Sequence, residues 1–333
     1  MKLASPVIFV SLFIAVPAIA EPLAELAGFS VFDKIDLNSL AQGEVKTVHG
    51  PPMTGRILSV QSCYVMPGSP PEQVDALRNW NPTKHRELKV FLHNDLSGAP
   101  TAASFSKLKS APDNSSVKAL VNATQKMGSD LQVSRDEAKK FSGSGSAGAI
   151  SGPVAAFWSD VLGGRAKSFV NNGTAGQAPY DHIGEAVSPN DELKSLLKNQ
   201  DKIRKQFSEF LGETGIGRGA GSLTPELYWE LLDVDDLGVV TLGAFYNRAA
   251  GNGAYQAADV LYYASGGFYV TLTVYQMWPV TANGKPSTLV WRGDMTSSAA
   301  LASLHGVERL GSESAMVKDI SKAITFFRKD MAR

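Results

Sequence analysis

Cysteine is nearly absent from this sequence, because Cys63 is the only one among 333 residues. A single thiol cannot form an intramolecular disulfide, so the fold must depend on its buried apolar core. An exported protein of this size without disulfides is more typical of a bacterial periplasm than of an animal extracellular space. Cys63 lies in the apolar run SVQSCYVM, which predicts a buried thiol rather than a reactive one.

A surplus of charge is also missing, since 32 lysines and arginines balance 32 aspartates and glutamates. Nucleic-acid binding requires a cationic face that meets the phosphates, so this composition predicts no nucleic-acid partner. The same balance provides no attraction to an anionic membrane surface.

Long hydrophobic runs are confined to the N terminus, MKLASPVIFVSLFIAVPAIAEP. Lys2, the apolar run from Val7 to Val16 and the small-x-small triplet at 18–20 have the order of a secretory signal peptide, cleaved after Ala20. A membrane anchor is the alternative, but Pro17 ends the run short of the roughly 20 residues that a span needs. We therefore expect an exported protein, periplasmic or secreted, with no membrane span after cleavage of residues 1–20.

Strong catalytic and nucleotide-binding signatures are lacking as well. No Gly-Lys-Ser/Thr motif of a P-loop occurs, and the glycine-rich GETGIGRGAG at 212–221 follows a helix-like segment rather than the strand that a dinucleotide fingerprint needs. GSGSAG at 143–148 lacks the apolar strand that presents a nucleophilic serine. Both segments are therefore interpreted as connectors. We expect no cofactor, and the lack of catalytic motifs favours a protein that is not an enzyme.

Three blocks follow the signal peptide. Residues 21–97 form the first part of a β-rich domain that contains one helix, which begins after Ser69 with two prolines. Residues 98–235 are helical, with helical apolar spacing at 115–127, 153–170, 190–212 and 224–233, and form either an insertion that acts as a lid or a separate domain. Residues 236–333 contain four strand-like runs and then a long C-terminal helix near 313–330.

The turn signals SGG at 265–267 and NGK at 283–285 predict hairpins between neighbouring strands of the last block. The predicted class is α+β: an antiparallel, strongly curved sheet packed on a long C-terminal helix, with a large helical insertion.

This order resembles the START-type helix-grip proteins, in which an antiparallel sheet curls around a C-terminal helix and leaves an apolar cavity. The matching segments are GEVKTVHG, RILSVQSCYVMP with SPPEQVDALRNW, and FYVTLTVYQMWPV with STLVWRGDM running into SESAMVKDISKAITFF. The likeness covers about half of the chain as an order of elements, without a diagnostic motif, and the insertion of more than 130 residues departs from the family pattern. It implies binding of lipids or other hydrophobic ligands, with catalysis in only some members.

The stretch HRELKVFLHND concentrates residues that bind metals or transfer protons: His85, Glu87, His93 and Asp95. A strand rises about 3.3 Å per residue, so His85 and His93 would lie roughly 26 Å apart and cannot share one ion. Two pairs are left, His85 with Glu87 and His93 with Asp95, and each is either an ion pair or half of a site completed elsewhere. We expect no metal, and Glu87 and His93 as candidates for ligand contact.

Aromatic side chains are concentrated in the last block. In FYVTLTVYQMW, alternation places Tyr269, Thr271, Thr273, Tyr275 and Met277 on one face and Val270, Leu272, Val274, Gln276 and Trp278 on the other. The mixed face suits a ligand cavity or a wet sheet surface, although ordinary cross-strand aromatic packing explains it too.

In STLVWRGDM, Arg292 shares a face with Asp294 and is opposite to Trp291. A buried Arg292 would anchor a carboxylate or phosphate, whereas an exposed one would pair with Asp294. The candidate ligand-binding residues are Glu87, His93, Tyr269, Tyr275, Trp291 and Arg292.

The leading hypothesis is an exported, non-catalytic protein that binds a small hydrophobic or amphipathic ligand, such as a lipid. A periplasmic hydrolase with a histidine and a carboxylate that the sequence does not place is one alternative. A structural or assembly protein without a small ligand is another, and the sequence identifies no protein partner.

Overall fold

The computed structural model describes residues 20–51, 53, 55–143 and 150–331. Residues 1–19 of the predicted signal peptide and residues 144–148 of GSGSAG lie outside the described residues. Within the described ranges, no helix is both long and apolar enough to cross a membrane.

One antiparallel sheet organises the fold, and it is curled without closing into a barrel. Its strands are β1 (Lys46–His49), β2 (Ile57–Pro67), β3 (Val90–Leu96), β4 (Glu226–Val234), β5 (Leu237–Ala249), β6 (Tyr255–Ala264), β7 (Val270–Ala282) and β8 (Lys285–Ser297). Their spatial order is β1-β2-β8-β7-β6-β5-β4-β3. Strands from both ends of the chain therefore pair in one sheet, with β2 against β8 and β3 against β4.

Tight turns fix the register of the meander. Asn283 and Gly284 both have positive φ (52° and 72°) between β7 and β8, which is the backbone that a two-residue hairpin turn requires. Asp235 and Asp236, at φ 49° and 64°, make the corresponding turn between β4 and β5. The hairpins predicted at 265–267 and 283–285 are both present.

The helices lie at the start of the chain, between β2 and β3, in the insertion and near the C terminus. They are α1 (Ala20–Phe29), α2 (Leu37–Ala41), α3 (Pro70–Asn79), α4 (Ser115–Lys126), α5 (Arg135–Ala138), α6 (Gly152–Asn172), α7 (Pro189–Lys198), α8 (Asp201–Gln206), α9 (Ser208–Thr214), α10 (Ala299–Ala302) and α11 (Gly306–Met331). Helix α3 begins as predicted, because Ser69 and Glu72 form a capping box ahead of it.

The two faces of the sheet are covered differently. The insertion helices, with α1 and α2, pack on one face, which we call the insertion face, around a large core that includes Trp229, Trp278 and Trp291. Helices α3 and α11 pack on the other, the α11 face, around a smaller core that includes Tyr64 and Phe327. The predicted α+β class, with a curved sheet packed on a long C-terminal helix and a helical insertion, is confirmed.

Strand β7 shows how alternation builds both faces. Val270, Leu272 and Val274 enter the core of the insertion face, whereas Thr271 and Thr273 face the opposite side, as the sequence pattern predicts. Cys63 is fully buried in the same core, and burial raises the pKa of its thiol to about 12, which keeps the thiol protonated and unreactive.

The prediction of a helix at 224–233 is wrong, because this segment is strand β4. In ELYWELLDV the apolar spacing fits a helix, but Leu227, Trp229 and Leu231 also alternate at period two and are buried on one face. Pairing with β3 and β5 on both sides selects the strand. The helix predicted at 190–212 is divided into α7, α8 and α9.

Helix α11 is held to the sheet near both of its ends. Arg309 donates hydrogen bonds to the carbonyls of Met53, Gly55 and Ile57, at 3.0, 2.8 and 2.6 Å. Near the other end, Asp330 accepts from the indole of Trp80 at 3.0 Å. The middle of α11 thus spans the sheet between two fixed ends.

Candidate functional site

A cavity of about 840 Å³ lies between α11 and the sheet. Its volume is within the range of roughly 300 to 1,000 Å³ that is common for small-molecule sites. Helix α11 contributes a largely apolar roof, which includes Met316, Ile320, Ala323, Ile324 and Phe327. The sheet contributes a floor that is mainly polar, so a ligand in this space would touch both kinds of surface.

The floor is a line of polar side chains across the strands, which we call the polar row. It consists of His93 on β3, Glu230 and Tyr228 on β4, Asp259 on β6, Thr273 on β7, and Asp294 and Arg292 on β8. Strand register produces the row, because His93 is directly opposite Glu230, and Thr273 is opposite both Asp259 and Asp294. Side chains that are directly opposite on one face lie within hydrogen-bonding reach.

Hydrogen bonds connect neighbours within the polar row. His93 Nδ1 is 2.8 Å from Glu230 Oε1, and the Thr273 hydroxyl donates to Asp294 at 2.9 Å. The guanidinium of Arg292 makes three hydrogen bonds to the carboxylate of Asp294, at 2.7 to 3.0 Å. Arg292 is therefore engaged within the protein, on the face where the sequence pattern places it.

Tyr228 crosses strand β5 to reach Asp259 on β6, and its hydroxyl donates to that carboxylate at 2.6 Å. The strand between them carries Gly243 opposite Tyr228. Any Cβ at position 243 would overlap the Tyr228 ring. A glycine is therefore required here, because the ring lies flat over its backbone.

The electrostatics of the row follow from its enclosure. Burial raises the pKa of Asp259 to about 6, with a contribution from the charge of Glu230, while the Tyr228 hydrogen bond and Arg292 oppose the rise. Burial opposes the charged form of His93, but the hydrogen bond and negative charge of Glu230 outweigh it and raise its pKa above the ordinary value. Burial also raises the pKa of Tyr228, so its hydroxyl remains a donor.

Four of the six predicted ligand-binding residues line this cavity: Glu87, His93, Tyr275 and Arg292. The structure does not bring the other two to it. Trp291 is on the insertion face, 4.8 Å from the ring of Phe29 and 5.6 Å from that of Phe207, because residues adjacent in a strand point to opposite faces.

Tyr269 precedes β7 and stacks on Tyr180, with ring centroids 5.9 Å apart and the Arg56 guanidinium 5.2 Å from its ring. It shares the parity of Thr271, but it lies outside the strand, where the alternation rule does not apply.

The histidines of HRELKVFLHND do not pair with their sequence neighbours. The strand begins only at Val90, after Lys89 with φ 57°, so His85 and Glu87 lie outside it. His85 bonds Asp330 on α11 at 2.8 Å, and His93 bonds Glu230. Among the described residues, no group of three or more His, Cys, Asp and Glu side chains is arranged to hold a metal ion.

Five residues of the polar row are absent from the sequence-based candidates: Tyr228, Glu230, Asp259, Thr273 and Asp294. The first two were hidden by the helical interpretation of 224–233, although their alternation with Leu227 and Trp229 is the strand signal. Asp259 carries a signal too, since it is a single charge within the apolar strand sequence AADVLYY.

A second cleft, of about 660 Å³, adjoins the cavity beside the ends of α3, β3 and α6. The residues that line both spaces are Arg78, Asp95, Glu226 and Leu227. Arg78 and Glu226 form an ion pair between α3 and β4. This pair therefore lies on the boundary between the cavity and the second cleft.

Comparison with known proteins found no relative of this chain. No family model matches the chain, and neither the curated proteins nor the solved structures contain a match.

Proposed function

We propose that this protein binds a small amphipathic ligand, without converting it, in the cavity between α11 and the sheet. The observation that carries the proposal is the cavity itself: about 840 Å³ with an apolar helix above a polar row. Ligand sites are typically concave and mostly apolar, with a few placed polar groups that fix orientation.

The order of elements supports the same proposal. Strands β1 and β2, helix α3 and strand β3 precede the helical insertion and the meander, and the long helix α11 then follows against the sheet. This is the order on which the resemblance to START-type helix-grip proteins rests, and we propose that relationship together with the ligand class that it implies.

Filling the cavity tests the proposal. Ala323→Trp places an indole on the cavity side of α11, and Lys318→Trp places the same group at an exposed position of the same helix. Freshly purified protein is extracted with organic solvent, and co-purifying amphiphiles are identified by mass spectrometry. We expect a stoichiometric amphiphile from the wild type and Lys318→Trp, and a loss of most of it from Ala323→Trp.

Two results would overturn the proposal. One is an Ala323→Trp variant that is folded by circular dichroism and retains the full amount of amphiphile. The other is a wild type that carries no amphiphile and displaces no fluorescent apolar probe, which would favour a structural or assembly role.

A second candidate function is hydrolysis, and the His93–Glu230 pair within the cavity favours it. A carboxylate that orients an imidazole is the arrangement of a general base, and a base could activate water toward an ester. The test is turnover of medium-chain nitrophenyl esters by the wild type and by His93→Gln. Turnover that His93→Gln abolishes while probe binding persists would make the protein a hydrolase.

We further propose that the chain is exported and processed after Ala20, into the periplasm or the medium. Core packing is compatible with that cleavage, because Leu26 and Phe29, the buried apolar residues of α1, follow the cleavage point. N-terminal sequencing of protein from fractionated bacterial cells tests this proposal, and an intact Met1 on cytoplasmic protein would contradict it.

A further inference from the structure

We propose that the ligand of the cavity is a cationic amphiphile, with an ammonium head beside Asp259 and an alkyl tail under α11. This inference rests on the proposed function and adds the chemical class of the head group. The balance of charge along the cavity wall carries it.

Every lysine and arginine that lines the cavity is already matched by a carboxylate of the same lining. Arg292 binds Asp294, Lys89 binds Asp233 at 2.9 Å, and Arg78 binds Glu226. The fourth, Lys322, lies 3.6 Å from Asp319 on α11. Each of these four cations therefore has a carboxylate partner in the cavity lining. None of the four is left unpaired to bind an anionic head group.

Carboxylates remain in excess after this pairing. Asp259, Glu87, Asp95 and Asp235 line the cavity in addition to the four paired acids, and Glu230 has only the titratable His93 as a charged hydrogen-bond partner among the described residues. Asp259 is the most enclosed of them, and its hydrogen-bond partner is the neutral Tyr228 hydroxyl. No lysine or arginine in the described part of the chain is hydrogen-bonded to this enclosed carboxylate, and the nearby charges of Arg292 and His93 offset its burial only in part, so a bound ammonium would supply a direct cationic partner.

The aromatic rings beside Asp259 fit the same head group. Tyr228 and Tyr275 line this part of the floor, and Tyr64 lies next to them on β2. Tyrosine rings attract cations through their faces, as the Arg292 guanidinium already does 5.6 Å from the Tyr275 ring. A carboxylate or phosphate head would meet the electron-rich faces of these rings instead.

The expectation that Arg292 anchors an anion is therefore replaced. To bond the Nε and Nη2 edge of the guanidinium, an anionic head would have to displace Asp294, which accepts three hydrogen bonds from that edge. The displaced carboxylate would then lie unpaired in the same enclosed row as Asp259 and Glu230, a costly arrangement in a low-dielectric space.

Three ligands that differ only in the head group test the inference: decylammonium, decanol and decanoate. Each is titrated into the full-length mature protein at pH 7.5, below its micelle concentration, by displacement of a fluorescent apolar probe. We expect decylammonium to bind at least about tenfold more tightly than decanoate, with decanol between them, which corresponds to about 1.4 kcal/mol of head-group discrimination.

Asp259→Asn is the decisive variant, because it keeps the size of the side chain and its bond to Tyr228 while removing the charge. It should reduce the preference for decylammonium over decanoate about tenfold. Asp75→Asn removes a charge from an exposed position on α3 and should leave this preference unchanged.

The outcomes separate this inference from the function on which it rests. If none of the three ligands binds the wild type, the proposed binding function fails. If decanol or decanoate binds as tightly as decylammonium, the binding function stands and the cationic specificity is overturned. An unchanged preference in Asp259→Asn, with normal decanol binding, overturns the position of the head group.

Discussion

The two faces of the sheet differ in how they are completed, although the same strands supply both. On the insertion face, buried tryptophans and phenylalanines pack with the helices into one large core. On the α11 face, the helix closes over the polar row at a distance and leaves a space of about 840 Å³. Adjacent residues such as Trp291 and Arg292 thus lie in different surroundings, one in the core and one at the cavity.

Each face of the sheet has an arginine–carboxylate pair, and the two pairs differ in their surroundings. The buried Arg165 bonds Glu137 at 2.7 Å and its guanidinium lies 4.3 Å from the ring of Tyr263. This pair is enclosed by the core, whereas the Arg292–Asp294 pair borders the cavity. An arginine–carboxylate pair therefore stabilises the core on one face. On the other face, we propose that such a pair helps to select the ligand.

The largest expected effect is on the insertion face. Trp291→Ala removes a fully buried indole and should lower the free energy of unfolding by about 3 to 5 kcal/mol. Thr271→Ala, on the α11 face of β7, should lower it by less than about 1 kcal/mol, because its side chain borders open space. Urea unfolding of both variants checks the contrast, and similar losses at the two positions would contradict it.

Asp259→Asn should stabilise the protein at neutral pH. The pKa of Asp259 rises from its ordinary value of 3.8 to about 6 on folding, so the folded state binds this proton more tightly than the unfolded state. Stability from Asp259 is present below about pH 4 and is lost as the pH rises from about 4 to 6. We expect the variant to gain at most about 3 kcal/mol at pH 8, and nothing at pH 4.

Urea unfolding at both pH values measures that gain. The raised pKa of His93 acts in the same direction at higher pH, because its contribution is present below about pH 6.5 and is lost above its folded pKa. A gain that is equal at pH 4 and pH 8 would show that the charge of Asp259 is not its source.

Gly243→Ala should break the Tyr228–Asp259 bond without touching either residue. The added methyl group overlaps the Tyr228 ring, and overpacking of this kind costs about 1 to 3 kcal/mol. Gly164→Ala is the matched control, since a Cβ at that helical position meets no atom within 4 Å, and it should leave stability unchanged or raise it slightly.

Unfolding of Gly243→Ala alone and together with Tyr228→Ala shows whether the ring is the obstacle. The double variant should lose less stability than the sum of the two single losses, because without the ring the methyl group has room. Strict additivity would mean that Gly243 serves another purpose.

The smallest effect on stability is expected at the boundary between the cavity and the second cleft. Arg78→Gln breaks an exposed ion pair with Glu226, so the free energy of unfolding should change by less than about 1 kcal/mol. Release of a bound apolar probe, followed by stopped-flow fluorescence, should become several-fold faster because the pair no longer separates the two spaces. An unchanged release rate would place the exit elsewhere.

Much of the α11 face could be predicted from the sequence, because alternation in β7 and β8 is local information. Thr273, Tyr275 and Arg292 face the same side for that reason. The partners of these residues could not be predicted in the same way. His93 bonds Glu230, which is 137 positions away, and such pairs depend on a register that is decided only when distant strands meet.

The ambiguous apolar period of ELYWELLDV explains why this segment is predicted as a helix rather than a strand. Apolar residues there satisfy a helix and a strand equally, and the choice depends on β3 and β5 as neighbours. Because the segment is predicted as a helix, the sequence does not place Tyr228 and Glu230 on a sheet face. These two residues form the centre of the polar row.

The five tryptophans offer the most direct test of the account, because only Trp80 lines the cavity while Trp158, Trp229, Trp278 and Trp291 are in the core of the insertion face. The protein is labelled with 5-fluorotryptophan, Trp80→Phe assigns one ¹⁹F signal, and decylammonium is titrated in. We predict that the Trp80 signal shifts with saturation while the other four remain in place. A shift of the Trp291 signal with Trp80 unchanged would contradict it.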